Sequence, residues 1–252
     1  MTFRSLSLSI ILLFVTVINA QAQSQFEGEI HFGVQQYGDT GIEETSFTLT
    51  ANKDRMLLKS GEMVNVLGGM SANGLLVRND LKDFVFHTGE NEALKITKSD
   101  LDGLVNLLKR FRGGNQNGME QFDWDQNVKE TGNTKSLHGY TLNEFVLKTD
   151  QPGNYSSIWL TDSIKMNWGL LFDFWYHAGK EFSESDLPVE LIMNNNSFPL
   201  VIEIYSGNQL VFQAAAKNVD EGLAEPSKLE ISDNTKMLGF GELMMNMLRQ
   251  QR

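Results

Sequence analysis

The sequence contains no cysteine and only 4 prolines in 252 residues. Without cysteine there can be no disulfide and no lipid-modified N-terminal cysteine, so packing alone must hold the fold together. Histidine is also scarce, and the 4 histidines form no recognisable pattern. The motifs of zinc proteases, serine hydrolases and nucleotide-binding enzymes are missing. We therefore predict a protein without catalytic residues and without a cofactor, which is not an enzyme.

Basic residues and long apolar runs are few as well. The chain has 21 basic against 32 acidic residues and a formal net charge of −11. So negative a charge argues against nucleic acid and anionic membrane surfaces as partners. After the N-terminal segment, no stretch approaches the roughly 20 apolar residues that cross a bilayer. We expect no stable membrane anchor.

The N-terminal segment has the features of a secretory signal peptide. Arg4 supplies a positive start, residues 10–18 form a short apolar run, and an A-x-A cleavage site ends at Ala22. We expect residues 1–22 to be removed, which places the protein in the periplasm or outside the cell. A retained anchor is the alternative. Residues 23–252 are expected to form a single domain.

Alternation with a period of two, typical of β-strands, recurs along the mature chain. From Phe26 to Val34, apolar and polar residues alternate, which predicts a strand with one buried face. Hairpin turns are predicted at 79–83 and 206–208, and a last strand at 228–232, after Pro226. The series predicts a mainly β (α+β) fold in which a curved antiparallel sheet, or half-barrel, wraps two or three helices.

Three segments are predicted to be helical. Ser99 and Asp102 form an acidic capping box before a helix that ends at two glycines, residues 113–114. A second helix is predicted over residues 164–180. The tail, residues 234–252, is rich in methionine and is expected to be a C-terminal helix. Because methionine adapts its shape, this tail could fill the core or present a surface to apolar partners.

The aromatic stretch LLFDFWYHAG, residues 170–179, carries the central functional prediction. On a helical projection its polar residues occupy only a narrow stripe, and leaving its aromatic side chains in water would cost on the order of 10 kcal/mol. The helix must therefore be covered. It either fills the concave side of the sheet as core, or lines an apolar cavity for a ligand. The residues predicted to contact such a ligand are Trp168, Leu171, Phe172, Trp175 and Tyr176.

Two patterns resemble metal sites, but neither is complete. Asp173 and His177 have the i, i+4 spacing of two ligands on a helix, but no third ligand is suggested nearby, so we predict an ion pair on the helix surface instead. Residues 123–127, DWDQN, begin like a calcium loop, but Val128 stands where that loop requires glycine. We predict no metal site.

Residues 128–164 carry a family resemblance. A Thr-Gly turn leads to the tetrapeptide LHGY at 137–140, a strand follows, and WLTD comes at 159–162, while FEGEIHF opens the mature chain. This pattern resembles a family of secreted bacterial proteins classed as a domain of unknown function, similar to the lipoprotein-carrier superfamily of LolA-like and LppX-like proteins. The resemblance implies a bent antiparallel sheet that wraps helices and can hold acyl chains.

Three functions stay open at this point. The first is a periplasmic or secreted protein that binds a lipid-like or apolar ligand, such as an acyl chain, in a concave sheet. The second is a cell-envelope protein-interaction module without a small ligand, which docks through a sheet edge or the methionine-rich tail. The third is an envelope hydrolase, including a glycosidase, which would gain support if a histidine and two carboxylates met in one cleft.

Overall fold

The computed structural model of the chain describes residues 25–38, 41–65, 71–103, 128–148, 151–174, 197–222, 224–242 and 245. In these ranges twelve strands form one sheet, in the order β12-β6-β5-β4-β3-β2-β1-β11-β10-β9-β8-β7. The strands are β1 Gly28–Gly38, β2 Gly41–Ala51, β3 Arg55–Asn65, β4 Ser71–Arg78, β5 Asp83–Gly89, β6 Glu92–Thr97, β7 Val128–Leu137, β8 Tyr140–Lys148, β9 Tyr155–Thr161, β10 Phe198–Ser206, β11 Gln209–Glu221 and β12 Lys236–Gly239. The mainly β, curved antiparallel architecture predicted from sequence is confirmed.

The main core lies against one face of the sheet and draws on both of its halves. Its fully buried side chains include Ile30 on β1, Leu94 on β6, Leu142 on β8 and Leu200 on β10. Burial alternates at the start of β1, as predicted, because successive side chains of a strand point to opposite faces. The predicted hairpin at 79–83 is also confirmed, since β4 ends at residue 78 and β5 begins at residue 83.

The sheet curls towards the core face in its second half. Strands β9 and β10 separate β8 from β11, which would put β8 and β11 about 14 Å apart in a flat sheet. Nevertheless, Nε2 of His138 donates a hydrogen bond to the carbonyl oxygen of Ala216 at 2.9 Å, and the hydroxyl of Tyr140 donates to Glu221. The β7–β8 hairpin therefore folds back over the sheet, which creates a concave face.

The β10–β11 hairpin shows how local sequence sets a turn. Gly207 and Asn208 connect the two strands with φ angles of 58° and 64°. Two positive φ angles define the tight turn whose twist matches that of the strands, and glycine and asparagine tolerate this conformation best. The turn predicted at 206–208 is confirmed.

The first helix begins earlier than predicted. Residues 98–103 are helical, and Thr97 rather than Ser99 is the cap. Asp100 Oδ2 accepts a hydrogen bond from the amide of Thr97 at 2.9 Å, and Thr97 Oγ1 accepts from the amide of Asp100 at 3.1 Å. Thr97 and Asp100 have the same spacing as Ser99 and Asp102, so the capping-box pattern alone could not distinguish them. The predicted end of this helix at 113–114 lies outside the described residues.

Two predictions near the C-terminus are wrong. Pro226–Leu229 is a 3-10 helix rather than part of a strand, because Leu229 turns inward and is buried in a second, smaller cluster on the outer face of the sheet. The last strand is β12, in the tail that was predicted to be helical, and it pairs in parallel with β6. Helix begins only at residue 240; of the residues after 242, the structure describes only 245.

Candidate functional site

The segment before the aromatic helix is extended, not helical. The helix spans Gly169–Phe174 in the described part of the chain. Before it, Ile164 and Met166 are buried and Lys165 between them is less so, which is the alternation of an extended chain. The amide of Phe26 donates to the carbonyl oxygen of Lys165 at 2.7 Å and ties the segment to the chain just before β1. The prediction of helix over 164–168 is therefore wrong, because tertiary contacts hold this segment extended.

The helix is capped by a residue from a distant turn. Asn79, between β4 and β5, accepts a hydrogen bond at Oδ1 from the amide of Leu170 at 2.7 Å and donates from Nδ2 to the carbonyl oxygen of Asn167 at 3.1 Å. Gly169 permits this approach, since a Cβ there would lie 2.6 Å from Asn79 Oδ1. The cap is 91 residues from the amide that it satisfies. No local sequence signal could have located it.

The structure describes three of the five predicted ligand-contacting residues. Trp168 and Leu171 are partly buried against the main core, and the ring of Trp168 stacks on Phe198 with centroids 5.9 Å apart. Phe172 is 36% exposed. The other two, Trp175 and Tyr176, lie outside the described residues, as does His177. Contact of any of them with a ligand stays a prediction.

Asp173 pairs with Lys98; the predicted ion pair with His177 lies outside the described residues. The carboxylate of Asp173 contacts the ammonium group of Lys98, which lies in the first turn of the helix at 98–103. The contact joins the start of this helix to the Gly169–Phe174 helix. Asp173 therefore contributes to the packing of the two helices. The calcium-like stretch at 123–127 lies outside the described residues.

A rim of partly buried apolar side chains surrounds the main core. These side chains pack against the core and retain contact with solvent; they include Phe47, Leu75, Leu137, Tyr140, Trp159, Trp168, Leu171, Leu238 and Phe240. The indole nitrogens of Trp159 and Trp168 are buried, and among the described residues neither donates to an acceptor. A buried donor without an acceptor carries a desolvation cost.

Polar side chains cluster beside this rim on β7, β8 and β9. Glu144 accepts hydrogen bonds from Ser157 Oγ at 2.7 Å, Thr131 Oγ1 at 2.8 Å and Asn133 Nδ2 at 2.8 Å. Burial alone would raise the pKa of Glu144, but these hydrogen bonds, together with Lys135, lower it. Glu144 is therefore held as a carboxylate with three donors engaged, which does not suit a general acid.

Lys135 lies next to this cluster, over an aromatic ring. Its Nζ is 3.8 Å from the ring centroid of Trp159, which is a cation–π contact. Burial lowers the pKa of Lys135, whereas Glu203 and Glu144 oppose that shift. Lys135, Glu203 and Gln213 line a cleft of about 390 Å³ between the β7–β8 hairpin and strands β10 and β11. We call this the hairpin cleft.

A second cleft, of about 440 Å³, lies on the outer face of the sheet under residues 227–235. We call it the outer cleft; its titratable side chains are Glu29, His31, Lys59, His87, Glu90, Glu92, Lys228 and Glu230. His31 Nδ1 is 3.0 Å from Thr48 Oγ1, and its Nε2 is 3.8 Å from a carboxylate oxygen of Glu29. A histidine and several carboxylates therefore share one cleft, which is the arrangement under which a hydrolase gains support.

Strand pairing assembles the floor of the outer cleft. His31, Thr48, Lys59, Gly74 and His87 are successive cross-strand partners from β1 to β5. The imidazole of His87 lies over Gly74, where a Cβ would be 3.1 Å from its Nδ1. Burial and the charge of Lys59 lower the pKa of His87, so it is neutral at pH 7. Sequence reasoning missed this row because it depends on the register of five strands.

The described residues contain no group of three or more His, Asp or Glu side chains that could hold a metal ion. In the same ranges, no helix has the length and apolarity required to cross a bilayer.

No protein-family model and no curated protein matches the chain. Among solved structures, PNGF-II is 12% identical over 89% of this chain with a TM-score of 0.44, and this chain spans only 34% of its length. An uncharacterized conserved protein from Thermus thermophilus is 8% identical, covering 84% of this chain and 91% of its own, with a TM-score of 0.41. A LolA superfamily protein from Nitrosomonas europaea is 8% identical, covering 84% and 92%, with a TM-score of 0.28.

A LolA superfamily protein is thus one of the solved structures similar to this chain. All three TM-scores are below 0.5. No residue role, ligand or activity is carried over from these proteins.

Proposed function

We propose that the protein is a non-enzymatic, periplasmic or secreted binder of a lipid-like or apolar ligand, held on the concave face beside the Gly169–Phe174 helix. The observation that carries the proposal is the gradation of burial from Trp168, stacked in the core, through Leu171 to Phe172, which is 36% exposed. Full burial of such a side chain is worth about 1.5–3 kcal/mol, so covering Phe172 with an acyl chain would stabilise the complex.

The surrounding rim supports the same proposal. Its partly buried aromatic and aliphatic side chains offer further apolar area, and two of them, Trp168 and Leu171, belong to the same segment as Phe172. Each methylene group that a ligand buries there contributes about 0.8 kcal/mol. The periplasmic or secreted location rests on the predicted signal peptide, which lies outside the described residues.

Native mass spectrometry and titration with the neutral fluorescent probe N-phenyl-1-naphthylamine test this function. We expect co-purified lipid, or a saturable rise in probe fluorescence, and Phe172→Asp should weaken probe binding about tenfold, equivalent to about 1.4 kcal/mol. Ile42→Asp is the matched control, because Ile42 is 56% exposed and lies at the end of β2 away from its buried residues. Absence of both lipid and probe binding in the wild-type protein contradicts the proposal.

The outer cleft supports a second candidate, an envelope hydrolase. His31 lies between a hydroxyl, Thr48 Oγ1, and a carboxylate, Glu29, which is the order of groups in a nucleophile, base and orienting acid. The separation of 3.8 Å between His31 and Glu29 is too long for a hydrogen bond, and Glu29 is engaged by Lys228 at 2.5 Å. These two distances make this the weaker candidate.

Hydrolysis of p-nitrophenyl butyrate tests the second candidate. If the outer cleft is catalytic, the wild-type protein hydrolyses the ester, and His31→Gln abolishes the activity. His138→Gln, which alters a histidine lining the hairpin cleft, is the control and should retain it. Hydrolysis that survives His31→Gln excludes His31 as the base.

A further inference from the structure

We infer that the apolar ligand carries an anionic head group, a carboxylate or a phosphate, and that Lys135 binds this head group in the hairpin cleft. The inference rests on the proposed function, because it assigns the polar end of the same ligand. It adds a specificity-determining residue that lies far in sequence from the aromatic helix.

The floor of the hairpin cleft is continuous with the apolar core. Lys135 is the cross-strand partner of Leu142, which is fully buried in the main core. Val201 belongs to the same core and Ala215 packs against it, and both line the cleft. A ligand could therefore extend its tail over apolar side chains while its head remains within reach of Lys135.

Lys135 has donors that no acceptor in the described residues uses. Its ammonium group carries three N–H donors, and its specific contact in those residues is with the ring of Trp159. Glu203, the carboxylate that lines the cleft, already accepts hydrogen bonds from Gln213 at 3.0 Å and Tyr205 at 3.3 Å. Because burial disfavours the charged form of Lys135, an anion placed against it would offset that desolvation.

The lining of the cleft is also less acidic than the protein as a whole, whose formal net charge is −11. Lys135 and Lys217 line the cleft together with one carboxylate, that of Glu203. The carboxylate of Glu144 acts on Lys135 from outside this lining and already accepts three hydrogen bonds. Complementary charge in such a cleft selects anionic over cationic head groups.

Displacement of the naphthylamine probe by dodecanoic acid and by 1-dodecanol at pH 8 tests the inference. The two ligands share a tail and differ in the charge of the head group. We expect the wild-type protein to bind dodecanoate about tenfold more tightly than dodecanol, because a charge-assisted hydrogen bond forms only with the acid. This comparison needs no variant, so a folding defect cannot obscure it.

Variants then assign the preference to Lys135. Lys135→Met keeps the side-chain stem over Trp159 and should lower dodecanoate affinity about tenfold while leaving dodecanol binding unchanged, and Lys135→Arg should retain the preference. Lys53→Met is the control, because it removes the same charge from a side chain that is 72% exposed in the turn between β2 and β3.

The possible failures are distinguishable. Equal binding of acid and alcohol by the wild-type protein, or a preference that survives Lys135→Met, overturns the inference and leaves the proposed function standing. If neither ligand displaces the probe and the probe itself does not bind, the proposed function fails and the inference fails with it. Binding of inorganic phosphate alone as tightly as dodecanoate also overturns the inference, because the site would then recognise a free anion without a tail.

Discussion

At the scale of single residues, a buried ion pair closes the β4–β5 hairpin. Arg78 Nε donates to Asp83 Oδ1 at 2.6 Å and its Nη2 to Oδ2 at 2.7 Å, with the two side chains 10% and 2% exposed. Lys95 on β6 adds a contact of 3.4 Å to the same carboxylate. Such a pair is strongly coupled to folding, because removal of either partner leaves a buried charge without compensation.

Asp83→Asn should lower the free energy of unfolding by about 3–5 kcal/mol, measured by urea denaturation. Glu92→Gln is the control. Glu92 pairs with Lys236, whose side chain is well exposed. Loss of this ion pair should lower the free energy of unfolding by at most about 1 kcal/mol. Equal, small effects of the two substitutions would show that the Arg78–Asp83 pair is not buried in solution.

The cap on the Gly169–Phe174 helix gives a test of coupling between two residues. Asn79→Ala should cost about 1 kcal/mol, the usual worth of a cap. Gly169→Ala should also destabilise the protein, because its Cβ would clash with Asn79 Oδ1. In the double variant the clash with Asn79 disappears and only the contact with Asn167 Oδ1 at 2.9 Å remains. The double variant should therefore lose less stability than the two single variants together. Strict additivity in thermal unfolding contradicts the contact.

At the scale of elements, strand β12 distinguishes between the two interpretations of the tail, which were that it fills the core or that it presents a surface to apolar partners. Leu238 is partly buried against the main core, whereas its neighbour Met237 is 37% exposed, as expected for adjacent residues of a strand. Because β12 extends the sheet beside β6, the first part of the tail belongs to the fold. For the sheet edge, the interaction-module hypothesis then concerns the outer sides of β12 and β7, the two edge strands, which offer unpaired backbone groups.

Leu238→Ser should destabilise the protein by roughly 1–3 kcal/mol, while Met237→Ser should stay within about 0.5 kcal/mol of wild type. Urea denaturation of both variants measures the difference. As a second measurement, deletion of residues 234–252 should speed hydrogen exchange of the β6 amides that β12 protects. A stable deletion variant that has lost a binding partner would instead favour docking by the tail.

At the scale of the whole molecule, three titratable side chains on separate strands and turns all make the folded state less stable as the pH falls. Burial lowers the pKa of His87, assisted by Lys59; a hydrogen bond from Arg55 lowers that of Asp80; and the pKa of Glu144 is lowered despite its burial. A folded-state pKa below the unfolded value contributes stability above the unfolded pKa, which is lost as the pH falls through the folded one.

The urea midpoint should therefore fall in two stages on acidification. The first begins near pH 6.5, the unfolded pKa of histidine, and the second near pH 4, the unfolded pKa of aspartate and glutamate. His87→Gln should flatten the first stage and Asp80→Asn part of the second. A midpoint that rises on acidification between pH 7 and pH 5 would contradict the lowered pKa of His87.

The sequence by itself determined the features that depend on neighbours in the chain. Alternation along β1 identified its buried face, and Gly207 and Asn208 located a turn, because side-chain direction and the tolerance of positive φ are local properties. The capping box was also recognised as a pattern. Its true position, at Thr97, depended on where β6 ends.

Only the tertiary structure decided features for which the partners lie far apart in the chain. Asn79 caps a helix 91 residues away, β12 is a strand because the edge of β6 offers it a ladder, and segment 164–168 is extended because the core receives alternate side chains. The hairpin cleft likewise depends on the curl that brings the β7–β8 hairpin to β11. In these segments the local propensities for helix and for extended chain differ little, so long-range packing and hydrogen bonding determine which of the two conformations forms.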